Sequence, residues 1–349
     1  MRIALLTYST RPRGGVVHTL SLAEALAELG HEVTVWTLGR GGGFFRAVDP
    51  RVRLAIVPFP DVPDEGVGSR ILRSIDVLRE AFVPGDYDIV HAQDCISANA
   101  VDRCVRTIHH LDQFTTPELA ACHERAIVRP YAHLCVSAAV AREVEQGWGI
   151  TPAVIPNGVD AARFAAARPS PRYGRYVLAV GGIEPRKGSI DLLDAYALLR
   201  RDVPGLDLVI AGGETLFDYR DYRAGWQARA DELGITPRVL GPVGQDVLPG
   251  LVAGAAAFAF PSTKEGFGLA AMEALAAGTP VVVRDLPVLR EVFGDTVGYG
   301  SDPAGLALAL RESLEDHPAE RAAAGRALAA AHTWSAAAER HAAFYRTLR

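Results

Sequence analysis

Lysine is almost missing from this chain. Of its 36 basic residues only two, Lys187 and Lys264, are lysine, and the other 34 are arginine. A general drift toward arginine accounts for the 34. It does not account for where the two survivors stand, since both lie in glycine-rich loops, "EPRKGS" and "STKEGFG". Lysine carries a compact, strongly hydrated point charge where arginine carries a planar fork, so the two mark loops to look at. Other shortages narrow the class. No run of 18 apolar residues exists, and no membrane-spanning helix is expected. The opening "MRIALLTYST" has no longer apolar stretch and no small-residue cleavage site, and reads as a first β-strand rather than a signal peptide. The four cysteines, Cys95, Cys104, Cys122 and Cys135, form no C-x-x-C pair and predict neither a zinc site nor a disulfide framework. A cytoplasmic, reducing setting is the simplest expectation. A net charge of −5 argues against a nucleic-acid partner met through a broad basic face.

What is present is alternation. The 349 residues exceed one ordinary core and suit two α/β domains, and 49% hydrophobic content fills both. Apolar, β-rich runs alternate with helical patterns, the mark of parallel sheets with crossover helices. Strands are predicted at 2–8, 32–38, 52–58, 87–92, 105–110, 132–137 and 152–156. Between the first two, leucines 20, 22, 26 and 29 predict a helix stopped by Gly30. The segment 162–175, "ARFAAARPSPRYGR", breaks the pattern and is taken as the inter-domain linker. The alternation then restarts through "YVLAVGG", "LDLVIAGG", "RVLGPVG", "AAFAFPS" and "TPVVVRD". Two Rossmann-like doubly wound domains are therefore expected, 1–165 and 166–333, with ligands beyond the carboxyl ends of the strands and a cleft where the domains face. The stretch 333–349 predicts a last amphipathic helix.

The richest stretch is "KEGFGLAAMEALAAGTPVV", 264–282. A strand leads through Pro261 into a glycine turn, then into a helix stopped by Gly278. The free N–H groups and dipole of a helix start favour an anion, and Gly266 and Gly268 let backbone approach a phosphate without a Cβ between. A second such loop, "GGIEPRKGS", supplies Arg186 and Lys187, and a third, "AGGE" at 211–214, follows the next strand. Three loops on one rim predict a diphosphate held by amides and one or two cations. Carboxylates accept hydrogen bonds from sugar diols, so Glu265 in the loop and Glu273 on the helix would take the two ends of a nucleotide-sugar, the transferred sugar at Glu265 and the ribose at Glu273.

These residues resemble a family. The E-x7-E of "EGFGLAAME" with "ALAAGTPVV" closely resembles the signature of the retaining glycosyltransferases of family 4, which have the two-domain GT-B fold. "RPRGGVVHTLSLAEALAELGHEV", "RTIHH", "VSAAVAREV", "VIPNGVDAARF", "VGGIEPRKG" and the closing Trp helix resemble that family at matching places over nearly the whole chain. The resemblance implies that Gly14 and Gly15 lie near the distal phosphate and that Lys187 and the backbone of Phe267, Gly268 and Leu269 contact the diphosphate. It implies Glu265 on the donor sugar, Glu273 on the ribose, His109 near the reacting carbon, and a last helix, 334–349, crossing back onto the first domain. The family commonly carries Gly-Arg where this chain has Gly181-Gly182, and Arg186 is the neighbouring candidate for the absent guanidinium.

Transfer of a hexose from a UDP- or GDP-linked donor to a small-molecule, glycan or lipid acceptor is the activity so implied, with retention, no covalent intermediate and no cofactor. No carboxylate pair flanks a reacting carbon as in glycosidases, and no Asp-x-Asp occurs, "DLLD" and "DYRD" being spaced otherwise, so no metal is expected. A nicotinamide-dependent oxidoreductase lacks its G-x-G-x-x-G at every strand end. A sugar-nucleotide epimerase of the same fold and a non-catalytic nucleotide-sugar sensor stay open. Four further features have plainer readings. His18 and His91 read as structural or cleft-lining, and "GRGGGFF" at 39–45 as a loop over the acceptor side. The arginines 70, 73 and 79 opposite Ile71, Leu72, Ile75, Leu78 and Phe82 read as the solvent face of a core helix rather than a membrane-surface anchor.

Overall fold

A computed structural model describes residues 1–111, 114, 116–213 and 219–349. The chain divides into two compact units, Met1–Gly158 with Trp334–Arg349, and Val159–Thr333.

In the first unit β1 (Arg2–Leu6), β2 (Glu32–Gly39), β3 (Arg53–Pro58), β4 (Ile89–Ala92), β5 (Val105–Ile108), β6 (Ala132–Cys135) and β7 (Ala153–Val154) form one sheet. Its order is β3-β2-β1-β4-β5-β6-β7, with every neighbouring pair parallel. The period-two pleat explains the continuous apolar spelling of β1, which is covered on both faces. Ile3 and Leu5 pack on one side with Leu20 and Leu26 of the helix Gly14–Glu28, while Ala4 and Leu6 pack on the other with Leu78 and Phe82. The helix Trp334–Thr347 closes the first of these layers, burying Ala338, Ala342 and Tyr345 against it. The last helix thus belongs to the first unit, as the resemblance implied.

In the second unit β8 (Tyr176–Val180), β9 (Asp207–Ala211), β10 (Arg238–Gly241), β11 (Ala257–Phe260), β12 (Val281–Arg284) and β13 (Gly298–Gly300) form a parallel sheet ordered β10-β9-β8-β11-β12-β13. One departure from the sequence reading is β13, which no apolar run announces. Its Gly300 is there for packing: a Cβ would fall 2.3 Å from the backbone N of Leu306 in the helix Pro303–Glu315. The boundary also differs. The chain passes into the second unit at Val159, and the short helix Ala161–Ala165, read from sequence as the end of the first domain and the start of a linker, lies inside the second. Phe164 in it is 1% exposed, and the helix packs on the helices Leu248–Ala253, Leu269–Ala277 and Ala319–Ala331 of that unit.

Strand order sets where a ligand is expected. In both sheets it reverses beside the first strand of the unit, between β1 and β4 and between β8 and β11, and crevices open at the carboxyl ends of strands at such reversals.

Candidate functional site

The loops that leave β8 and β11, on either side of the second reversal, carry the two lysines and Glu265. Lys187 Nζ donates to Glu265 Oε1 at 2.5 Å, and Arg186 Nη1 donates to the same oxygen at 3.2 Å. Arg186 also reaches Glu184 Oε1 at 3.4 Å, and the backbone N of Thr263 donates to Arg186 O at 2.8 Å, which ties the two loops together. The carboxylate side chain of Glu265 is 11% exposed and Lys187 is 20% exposed, so this is a mostly desolvated charge cluster. Burial lowers the Lys187 ammonium from its usual range and Arg186 adds to the effect, while Glu265 pulls the other way. The ammonium lies 5.2 Å from the centroid of Phe260, the last residue of β11. Arg186 therefore stands in the cluster where the glycine pair Gly181-Gly182 leaves no guanidinium. Lys264 contributes its backbone carbonyl, to Arg186.

Downstream, Gly268 starts the helix Leu269–Ala277 with φ of +94°, a conformation L side chains rarely adopt, and a Cβ there would meet Phe293 at 3.0 Å. Phe267 is 3% exposed with its ring 5.6 Å from His332, so its side chain is committed to the core and only its backbone is on offer. The first N–H groups of this helix, at Leu269 and after, have no intrahelical acceptor. Ser262 lines the same small pocket as Gly181, Gly182 and Lys187, and its buried hydroxyl has no partner among the described residues.

Glu273, on that helix, is half-buried and receives no protein hydrogen bond among the described residues. Burial pushes its carboxyl up to about 7, against the pull of Arg163 and with some help from Asp160. Both neighbours come from the helix Ala161–Ala165 and its cap, and Arg163 also donates to the carbonyl of Gln245 in the loop after β10. The two glutamates of the E-x7-E are thus in opposite states. Glu265 is neutralised by two cations, and Glu273 is a desolvated carboxyl without a partner. Of the third loop, Gly212 and Gly213 are described and Glu214 lies outside the described residues. A Cβ on Gly212 would fall 2.1 Å from Gly181 O, so the loops after β8 and β9 meet backbone to backbone.

In the first unit the end of β5 brings His109 beside the start of the helix Gly14–Glu28. A Cβ on Gly15 would lie 3.8 Å from His109 Cδ2. The buried Nε2 of His109 has no partner among the described residues, and burial, with His18 and Arg106 next in weight, holds the ring well below the usual histidine range. His18 packs edge-on to it at 4.8 Å and bonds Asn157 Oδ1 through Nδ1 at 2.9 Å. His91 is bonded at both nitrogens, to Tyr345 and to Thr107, each at 2.7 Å, which fits its structural reading. Gly14 has open space where a side chain would stand. The sequence reading missed Arg163, Glu184 and Ser262. "EPRKG" displays Glu184, but nothing local links position 163 to position 273.

Known proteins resemble the chain over most of its length. The family model described as "Glycosyltransferase Family 4" matches residues 12–163, and that described as "Glycosyl transferases group 1" matches residues 162–328. A phosphatidyl-myo-inositol mannosyltransferase of Mycolicibacterium smegmatis is 31% identical over 90% of this chain and 85% of its own. An MMP alpha-(1->4)-mannosyltransferase of Mycolicibacterium hassiacum is 32% identical over 84% of this chain and 83% of its own. Among solved structures, a sucrose-phosphate synthase from Thermosynechococcus elongatus superposes with a TM-score of 0.80 at 21% identity, covering 99% of this chain and 98% of that one. Anabaena HepE, in complex with UDP-glucose, superposes with a TM-score of 0.75 at 19% identity, covering 99% and 100%. With two doubly wound sheets, the E-x7-E loop and helix at the reversal of the second, and these relatives over most of its length, the chain belongs to the family 4 glycosyltransferases and has the GT-B fold.

Proposed function

We propose that this glycosyltransferase moves a hexose from a uridine or guanosine diphosphate sugar to its acceptor with retention of configuration and without a metal ion. The observation that carries the reading is the contrast between its two glutamates. A carboxyl without a protein donor, held near neutrality by burial, is suited to receive the two hydroxyls of a ribose. The Lys187, Arg186 and Glu265 cluster sits at the helix start, where a diphosphate and the sugar it carries would lie. Lys187, Arg186, the backbone near Gly182 and the amides of Phe267–Leu269 then stabilise the charge that grows on the departing diphosphate, in place of a metal. In the reaction the bond from the anomeric carbon to the diphosphate oxygen breaks, the acceptor oxygen bonds that carbon on the same face, and the acceptor proton passes to the departing diphosphate. No carboxylate is assigned as nucleophile. His109, whose buried Nε2 is unbonded among the described residues, is assigned to the sugar near its reacting carbon, and Gly14 and Gly15 to the distal phosphate.

The test is a panel of UDP- and GDP-hexoses followed by chromatography of the products, with and without excess chelator. Turnover of one donor, an α-linked product from an α-linked donor and indifference to chelator are expected. Loss of activity with chelator, restored by Mn²⁺ or Mg²⁺, refutes the metal-free site. Interconversion of the donor without an acceptor assigns the chain to epimerisation instead.

A further inference from the structure

Of the four cysteines, one stands apart. Cys104, Cys122 and Cys135 are buried, and burial pushes the thiols of Cys104 and Cys135 up to about 11 and about 12 against the pull of Arg106. Cys95 is half-buried. It opens the short helix Cys95–Ala100 just past the end of β4. Its Sγ lies 3.3 Å from Nδ1 of His123, on the helix Pro117–Val128, and 3.9 Å from Nη2 of Arg106, on β5. Three separate elements thus bring a sulfur, an imidazole and a guanidinium together.

Arg106 is a second and independent sign. It is 6% exposed, its Nε is buried and unbonded, and its Nη1 reaches only the backbone carbonyls of Ala92 and Thr107. No carboxylate bonds it among the described residues. Asp94, the acid next to Cys95, is taken up by Tyr8 N at 2.9 Å and by the backbone N and hydroxyl of Ser97 at 2.8 and 2.9 Å. A guanidinium withdrawn from water is costly unless an anion meets it. The sulfur in front of Nη2 becomes that anion by losing one proton, and His123 stands where it can take it. Cys122 also meets a cation, Arg125 Nη2 at 3.0 Å, but it is 4% exposed and closed to solutes. Among the described residues no group of three His, Cys, Asp or Glu is placed to hold a metal. A base, a buried cation and a reachable sulfur make a nucleophile instead.

We propose that Cys95 is held as a thiolate by Arg106 and His123 and is a site of reversible oxidation by hydroperoxides. The sulfur attacks one peroxide oxygen, the O–O bond breaks, and the sulfur gives up two electrons to become a sulfenic acid. The departing hydroxide takes the proton held by His123 and leaves as water. A small thiol then forms a disulfide with the sulfur and releases a second water, and exchange with another thiol restores Cys95. This chemistry is separate from glycosyl transfer and stands without it.

The test alkylates the full chain with iodoacetamide at pH 6.5, folded and unfolded in urea, and follows each cysteine by peptide mass spectrometry. An ordinary thiol is about 1% ionised at that pH. Cys95 should react roughly tenfold or more faster in the folded chain than in the unfolded one, and the other three cysteines more slowly. That ratio needs no variant. His123→Gln should slow Cys95 in the folded chain and move its rate profile to higher pH, with Asp94 and Arg106 left in place. Hydrogen peroxide with dimedone should put the dimedone adduct on Cys95. Hydrogen peroxide with glutathione should leave a mixed disulfide there that dithiothreitol removes, and Cys122→Ser should change neither result. Equal rates folded and unfolded, an unchanged pH profile in His123→Gln, or adducts on Cys122 in place of Cys95 would each overturn the proposal.

Discussion

Glu273→Gln separates charge from shape at the E-x7-E helix. If the carboxylate accepts both ribose hydroxyls, replacing it with an isosteric amide removes a charge-assisted bond and should weaken nucleoside diphosphate binding by about 1.5–3 kcal/mol, on the order of 10- to 150-fold. The unusual part is the pH dependence. With the carboxyl held near 7, it is about one-tenth ionised at pH 6 and about nine-tenths at pH 8. Only the ionised form accepts from both hydroxyls, so binding pulls a proton off. Parent affinity should rise about tenfold across that window beyond whatever the nucleotide's own phosphate contributes. Glu273→Gln keeps the phosphate contribution and loses the rest. Calorimetry in buffers of different ionisation enthalpy counts the protons directly: near pH 6.5 the parent should release more than the variant. Stability gives an independent reading with the sign fixed by burial. A carboxyl raised above its unfolded value binds its proton more tightly when folded, so its contribution is intact below about 4.5 and is lost as pH rises through about 7. Glu273→Gln should therefore melt higher than the parent at pH 8 and level with it near pH 4. Equal proton release and parallel melting curves would refute the account of a desolvated, unpartnered carboxyl.

Two other outcomes are expected. Lys187→Ala should lower kcat by roughly 10²–10³-fold, as for loss of one donor to a developing anion, and Lys187→Arg by less; steady-state rates equal to the parent's would hand the diphosphate to Arg186 and the amides. Tyr345→Phe should cost about 1–3 kcal/mol in chemical denaturation, because it strips a buried bond from His91 Nδ1 in a fully covered site. An unchanged midpoint would mean that the helix Trp334–Thr347 is held by its apolar face alone.

How legible each element was in the sequence follows from how local its cause is. The helix at 269–277 declares itself through Gly268 and Gly278, because positive φ at both ends is a local demand that glycine meets. β1 and β8 declare themselves because burial on both faces writes unbroken apolar runs. β13 does not, since its residues answer to a helix that packs on it later in the chain. The site divides in the same way. Lys187 and Glu265 stood out through composition and glycine context, yet their 2.5 Å contact spans 78 positions and is a product of strand order alone. That Arg163 and Asp160 act on Glu273 is hidden for the same reason: more than a hundred positions separate them, and only the packing of the helix Ala161–Ala165 on the helix Leu269–Ala277 brings them together.

The closing helix also orders the making of the protein. Every residue of Val159–Thr333 is synthesised before Tyr345 exists. On a ribosome, where domains fold as their chains complete, the second sheet can close while the first still lacks a wall. Until Trp334–Thr347 arrives, His91 has no phenol to bond and the apolar face holding Leu20 and Leu26 stays open to water. The domain begun first is the one finished last, and a nascent chain stalled short of position 334 would carry a folded second unit and an exposed, chaperone-accessible first one.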